Sequence, residues 1–365
     1  MPTRRLWTLF SRELAPPERI FHHYVWFRGH NNPRYAELFP RLRRLDSYPI
    51  TLPEPRVLRG ASLRVLAATR PARDAAVFGA AARRYRSMFT TDNAQIALFP
   101  GPVVADVDDP TFSPEEVRLL SRANVVGYVV TAERAAERFA ELELETPSHV
   151  IPQGVSLAAL TPESAREVAA QHRRDGEIVI GYMAAWLLSA GDRGGTNPLY
   201  NVDHLLDLWE RIHARVPATR LWLLGGASAR VRARIRERDD VLLLGRVPRD
   251  ELLSYVANFD VALYPRTADQ GVRAAKTAEY FGAGVPVVSY AYEVTRDVRE
   301  AGAGLLVETP DEFVDAVAEL ATDETRRREL AQAALAAGHA RDWDALAREY
   351  NELLDRWLPP DTLDR

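Results

Sequence analysis

No cysteine occurs among the 365 residues, which excludes disulfides, thiolate nucleophiles and thiolate-held metals. The absence fits a reducing compartment, and a cytoplasmic location is the expectation. Long apolar runs are also missing: no stretch approaches the ~18 uninterrupted apolar residues read as a membrane span. The first residues, Met1 to Leu14, are basic and then apolar. Thr8 and Ser11 interrupt the apolar part and Arg12-Glu13 end it, so it is too short for the core of a signal peptide. Leu6, Trp7, Leu9 and Phe10 there have two readings, packing on the body of the protein or a peripheral contact with a membrane surface. Nor is positive charge in excess. Lys and Arg number 47 against 51 Asp and Glu, a net charge of −4. No bulk field exists to hold a nucleic-acid backbone, and nucleic acid is not an expected partner.

What is present is a globular composition, 47% hydrophobic and 27% charged, over a length that suggests two domains. From Glu177 onward, short apolar runs alternate with helical patterns. Ile178–Tyr182, Leu221–Leu224, Val241–Leu244, Val261–Tyr264, Val285–Val288 and Leu305–Val307 read as strands. Between them, Val202–Val216, Ser228–Arg238, Arg249–Asn258 and Arg273–Phe281 read as helices, and 293–301 as a further one. Fully apolar strands separated by helices imply a parallel sheet covered on both faces, a doubly wound, Rossmann-like domain. The first half shows the same rhythm less clearly. Tyr24–Phe27, Val103–Asp106, Val125–Val130 and Val150–Pro152 read as strands, and His22, His23 and His30 beside the first of them as exposed or capping histidines. Residues 45–100 are ambiguous, with helices read near 62–70 and 73–86. The expected boundaries are 1–160 and 161–342, followed by a terminal helix and tail, 343–365, that packs back on the first domain. Trp186 and Trp209 read as core residues.

The stretch Ala268 to Val288 carries the chemistry. A strand ends at Pro265, a glycine-containing loop follows, then a helix start, then Gly284-Val285-Pro286 before the next strand. Free amides at a helix start form an anion site. Gly271 allows close backbone approach. Arg273 and Lys276, one turn apart, suit a diphosphate, and Glu279, a further turn on, can accept two ribose hydroxyls. Asp106-Val107-Asp108 also fits an Asp-x-Asp metal pattern. It precedes a capped helix where acids are favoured anyway, so no metal is expected.

The run Lys276-x-x-Glu279-Tyr280-x-x-x-Gly284-x-Pro286-Val287-Val288 resembles the donor-site signature of GT-B glycosyltransferases, particularly family 4. Leu224-Gly225-Gly226, Leu244-Gly245-Arg246-Val247, Asp106-Val107-Asp108-Asp109 and Ile151-Pro152-Gln153-Gly154 agree in spacing. The resemblance implies two Rossmann-like domains facing a cleft and retaining transfer of a sugar from a nucleoside-diphosphate sugar, with no required cofactor. It also implies a sugar-, lipid- or small-molecule-linked acceptor. Glu279 then holds the donor ribose, Gly271, Val272, Arg273 and Lys276 meet the diphosphate or donor sugar, and Arg246 and Val247 edge the base. Arg193 stands for the basic residue that follows the first strand of the donor domain. Asp108 joins Glu279 as a catalytic candidate, and Gly29, His30 and Asp109 lie on the acceptor side. Two positions depart from the pattern. Gly271 stands where the family has a first acid, and Asp108 where a histidine is common. The competing function is therefore a catalytically silent binding protein of the same fold. A nicotinamide-dependent oxidoreductase lacks its strand-linked Gly-x-Gly-x-x-Gly here.

Overall fold

Val103–Val107, Val261–Tyr264 and Val287–Tyr290 leave no face for water, and each is a strand buried along its whole length. The computed structural model describes residues 4–11, 13–27, 32–52, 61–194, 201–266 and 275–360. The chain divides into two units, Met1–Pro152 with Trp343–Arg365, and Gln153–Asp342.

The first unit holds strands β1 (Ile20–Phe27), β2 (Leu45–Leu52), β3 (Met88–Thr90), β4 (Val103–Val107), β5 (Val125–Val130) and β6 (Ser148–Val150), in the order β2-β1-β3-β4-β5-β6. The second holds β7 (Ile178–Leu187), β8 (Thr219–Ala227), β9 (Val241–Gly245), β10 (Val261–Tyr264), β11 (Val287–Tyr290) and β12 (Gly304–Val307), in the order β12-β11-β10-β7-β8-β9. All the pairings are parallel, so crossovers return the chain to the same end of the sheet before each strand. Both units have the doubly wound, Rossmann-like form expected. In the second, the chain winds outward through β8 and β9, then restarts on the other side of β7 at β10. Ligands of such sheets bind beyond the strand ends at that reversal.

Trp209, Leu205, Leu206 and Ile212, on the helix Asp203–Arg215, cover one face of the second sheet, and Phe259, Tyr280, Phe281 and Val298 cover the other. Thr309 begins the helix Pro310–Thr322 with a complete capping box to Glu312. The helix Trp343–Trp357 belongs to the first unit. Trp343, Leu346, Tyr350 and Leu354 pack there with Ile20, Leu38, Val104 and Val129.

Three expectations are corrected. The region 45–100 contains two strands, β2 and β3, and a single α-helix, Ala61–Arg84, that continues through Pro71. β2 escapes the apolar-run criterion because it carries Asp46, Ser47 and Pro49. It is an edge strand, the position where proline is tolerated. His22 and His23 are neither exposed nor capping: both lie inside β1 and are fully buried. Their Nδ1 atoms are held at 2.9 Å by Ser47 Oγ and at 2.7 Å by the Tyr48 carbonyl. Burial pushes the His22 imidazole down to about 3, so it is neutral at ordinary pH.

A buried ion pair ties this unit together. Arg34 donates to Asp106 Oδ2 at 3.3 Å and to the carbonyls of Ile151 and Pro152 at 3.1 and 2.9 Å, and Tyr350 donates to Asp106. Burial raises the Asp106 carboxyl, opposed chiefly by the Arg34 charge. Removing one partner strands the other, which costs about 3–5 kcal/mol. Arg34→Met is therefore expected to lower the urea midpoint markedly, and Arg34→Met with Asp106→Leu to recover much of the loss. A single variant as stable as the wild type contradicts this account.

Candidate functional site

At the β7/β10 reversal two phenol rings form a floor. Tyr182 comes from β7 and Tyr264 ends β10, and both are buried. The Lys276 ammonium lies 4.6 Å from the Tyr182 ring centroid and 5.2 Å from that of Tyr264, and donates to the Tyr182 hydroxyl at 3.3 Å. Arg266, two residues beyond β10, is buried. It stacks 5.8 Å from the Tyr264 ring and donates to its hydroxyl at 3.0 Å. Two cations thus share one aromatic floor. Desolvation, and then the Arg266 charge, pushes the Lys276 amine down to about 7. Burial pushes the Tyr264 phenol up to about 12. An anion placed against such a pair relieves both penalties on Lys276.

Glu279 lies one turn along from Lys276 on the helix Ala275–Gly282 and is buried. Arg249, in the turn after β9, donates to its Oε1. The helix is held firmly. The Met183 amide donates to the Tyr280 hydroxyl at 3.2 Å, and Thr277 donates to Asp297 at 2.7 Å. Arg341 meets the same Asp297 oxygen at 2.9 Å. Gly284 explains part of the sequence signature. It sits at φ 68°, its amide bonds the Phe281 carbonyl and the Val285 amide the Tyr280 carbonyl, each at 2.9 Å. That is a Schellman cap, so the glycine of Gly-x-Pro ends the helix.

Arg246 and Val247 follow β9. The Arg246 guanidinium stacks on Trp186 at 5.6 Å, and Val247 packs partly buried beside the core. Trp209 is core as expected; Trp186 is not, being half-buried under Arg246. Arg193 is exposed in the turn after β7. Its neighbour Asp192 accepts from the Ser189 amide at 2.8 Å and meets Arg230 at 3.4 Å. Gly271, Val272 and Arg273, like Gly29 and His30, lie outside the described residues.

In the first unit, Asp108 accepts from Asn32 Nδ2 at 2.7 Å, and Asn32 caps the helix Pro33–Leu38 through the Arg34 amide. Asp109 is exposed. Asp106 is committed to Arg34 and Tyr350, so the Asp-x-Asp carboxylates serve different partners. Among the described residues no group of three or more His, Asp or Glu is placed to hold a metal ion, and no helix is long and apolar enough to cross a membrane.

Lys276 and Glu279 are brought to one helix at the sheet reversal. Arg249, Arg266, Tyr182 and Tyr264 join them and were missed from the sequence. The available signal for two of them was Tyr264-Pro265-Arg266, an aromatic and a cation where an apolar strand stops.

Residues 190–323 match the sequence family described as Glycosyl transferases group 1. No curated protein matches the chain in sequence. Several solved structures share its fold. HepE of Anabaena, solved with UDP, has TM-score 0.70 and 16% identity over 92% of this chain and 100% of that one. The sucrose-phosphate synthase of Thermosynechococcus elongatus gives 0.70 and 16% over 93% and 99%. WaaG, a glycosyltransferase of lipopolysaccharide biosynthesis, gives 0.64 and 12% over 92% and 99%. At such identities the likeness is one of fold, and with its two parallel sheets the chain has the GT-B architecture of these enzymes.

Proposed function

We propose that the protein is a glycosyltransferase, family-4-like, that moves a sugar from a nucleoside-diphosphate sugar to an acceptor hydroxyl with retention and without an essential metal. The observation that carries this is the pairing of Lys276 and Arg266 over Tyr182 and Tyr264, with Glu279 one turn away. Sugar transfer leaves a diphosphate whose charge grows as the bond breaks. Preorganised cations in a dry site stabilise that growth more than they stabilise the bound donor. Glu279, its carboxylate oriented by Arg249, takes the ribose hydroxyls. Arg246, Val247 and the adjacent Trp186 edge the base; Arg193 and the 271–273 backbone reach the donor from the flanking loops. Asp108 acts in catalysis on the acceptor side with Asp109, Gly29 and His30. In this reading the second unit binds donor and the first binds acceptor, the protein works in the cytoplasm, and contact with a membrane is peripheral.

Thermal-shift measurements over a panel of nucleotides and nucleotide sugars, followed by assay of nucleoside diphosphate release, test the proposal. A ligand that binds only the native state raises the melting temperature, by an amount that grows with the logarithm of its concentration over Kd. Stabilisation by at least one nucleoside diphosphate and turnover of the matching sugar are expected. Stabilisation without turnover for any acceptor favours the silent binding protein, for which Gly271 in place of the first acid is the motive. No stabilisation by any nucleotide removes the reading altogether.

A further inference from the structure

Among the described residues, the three most exposed large apolar side chains are Leu14, Trp7 and Phe10, at 73%, 68% and 53%; the next reach only 41%. All three lie in one short segment. Leu6–Phe10 is a single 3-10 turn that buries Leu9 in the core of the first unit and turns Trp7 and Phe10 outward. The segment is pinned to the end of the helix Ala61–Arg84. Arg84 donates to the Thr8 carbonyl at 3.2 Å, and the Ala15 amide donates to the Arg84 carbonyl at 3.0 Å. Trp7 and Phe10 are therefore presented by a fixed turn, and Leu14 stands next to the pinned Ala15.

The surrounding charge is one-sided. Residues 1–19 and the helix end pinned to them, 81–86, contain seven arginines against two acids, inside a chain whose net charge is negative. Some of this excess is answered from elsewhere: Arg4 and Arg19 meet Asp46. Arg5 and Arg83, flanking the turn and the helix end, are exposed. Large apolar side chains projecting from a cationic surface match a negatively charged lipid leaflet, where rings enter the headgroup layer and arginines meet the lipid phosphates. A protein partner fits less well. Two aromatics and a leucine bury roughly 150–250 Å² each at most, short of the ~800 Å² per side of a stable protein interface.

We infer that Trp7, Phe10 and Leu14, with Arg5 at the start of the turn and Arg83 in the helix end pinned to it, dock the first unit on an anionic lipid surface. The docking is independent of the donor site, so its failure and that of the glycosyltransferase reading are separable.

Co-sedimentation of the full chain with phosphatidylcholine vesicles, with and without phosphatidylglycerol, tests it. The bound fraction is expected to rise roughly tenfold or more with the anionic lipid and to fall as salt is added. Trp7→Ser, Phe10→Ser and Leu14→Ser together lower binding roughly tenfold or more, and Arg5→Glu with Arg83→Glu abolish the preference for anionic lipid. Every one of these side chains is exposed, so the melting temperature stays at the wild-type value. Nucleotide binding stays unchanged as well. Equal sedimentation with neutral and anionic vesicles overturns the inference, as does full lipid binding by the triple variant. A wild-type dimer that the triple variant converts to monomer, with no lipid binding by either, assigns the patch to a second copy instead and overturns it too.

Discussion

Glu279→Ala weakens nucleoside diphosphate binding roughly ten- to a hundredfold, the equivalent of losing one charged hydrogen bond of about 1.5–3 kcal/mol. The carboxylate is buried at 7% side-chain exposure while its partner Arg249 keeps 40%. Truncation therefore leaves a guanidinium that water can still reach, and the fold survives the change. That separates this variant from a core lesion: the melting temperature of the free protein moves little, while the stabilisation by nucleoside diphosphate shrinks. Glu279→Gln keeps an acceptor oxygen but loses the charge that holds Arg249, so its loss is intermediate. Calorimetry on the full chain with the nucleoside diphosphate that most stabilises the wild type is the decisive measurement, and unchanged affinity in Glu279→Ala ends the assignment of Glu279 to the ribose.

Lys276 gives the second large effect, with opposite signs in two experiments. In the free protein its ammonium is desolvated beside Arg266, which pushes it down to about 7. Between about 7 and the ordinary lysine range the unfolded chain binds the extra proton and the folded one does not. Stability contributed at this position therefore climbs with pH across that window. Lys276→Met is expected to flatten that climb and to raise stability at neutral pH by about 1–2 kcal/mol, as replacement of a poorly compensated buried charge often does. Binding goes the other way. A diphosphate restores the charged form, so at pH 8 its arrival draws in close to one proton, seen by calorimetry in buffers of different ionisation heat. Nucleoside diphosphate affinity falls roughly tenfold or more from pH 7 to 9 as the free amine loses its proton. The Met variant binds the same nucleoside diphosphate weakly with no such slope. A wild-type affinity flat over that range shows that Lys276 does not meet the phosphates.

Much of the second unit was legible because its strands are apolar on both faces, so that each boundary coincides with a change in composition. Ile178, Val241 and Val261 begin strands where such changes occur, whereas the strand read from Val285 begins at Val287, after Pro286. The fold class follows from that alternation, and the Lys276–Glu279 pair from its helical spacing. What stayed hidden depends on which groups meet across the sheet. Nothing local in Arg249 indicates that it reaches Glu279, thirty residues on. Tyr182 reads as one more strand residue until β10 is laid beside β7. In the first unit the polar edge strand β2 and the three-residue β3 lack any apolar run. His22 and His23 look solvated until Ser47 and Tyr48 of that same strand are set against them.

The second unit is an insertion in the first, and its two ends are stitched together: Val155 bridges Asp342, and its amide bonds the Arg341 carbonyl at 2.9 Å. On the ribosome this fixes an order of events. Residues 153–342 can complete their sheet and close as soon as they emerge, whereas the first six strands must wait, with Arg34 and Asp106 lacking Tyr350, until the closing helix has been synthesised. The nascent first unit is thus the stage most exposed to chaperones, and a nascent chain stalled before Trp343 leaves the half made earliest as the half still open.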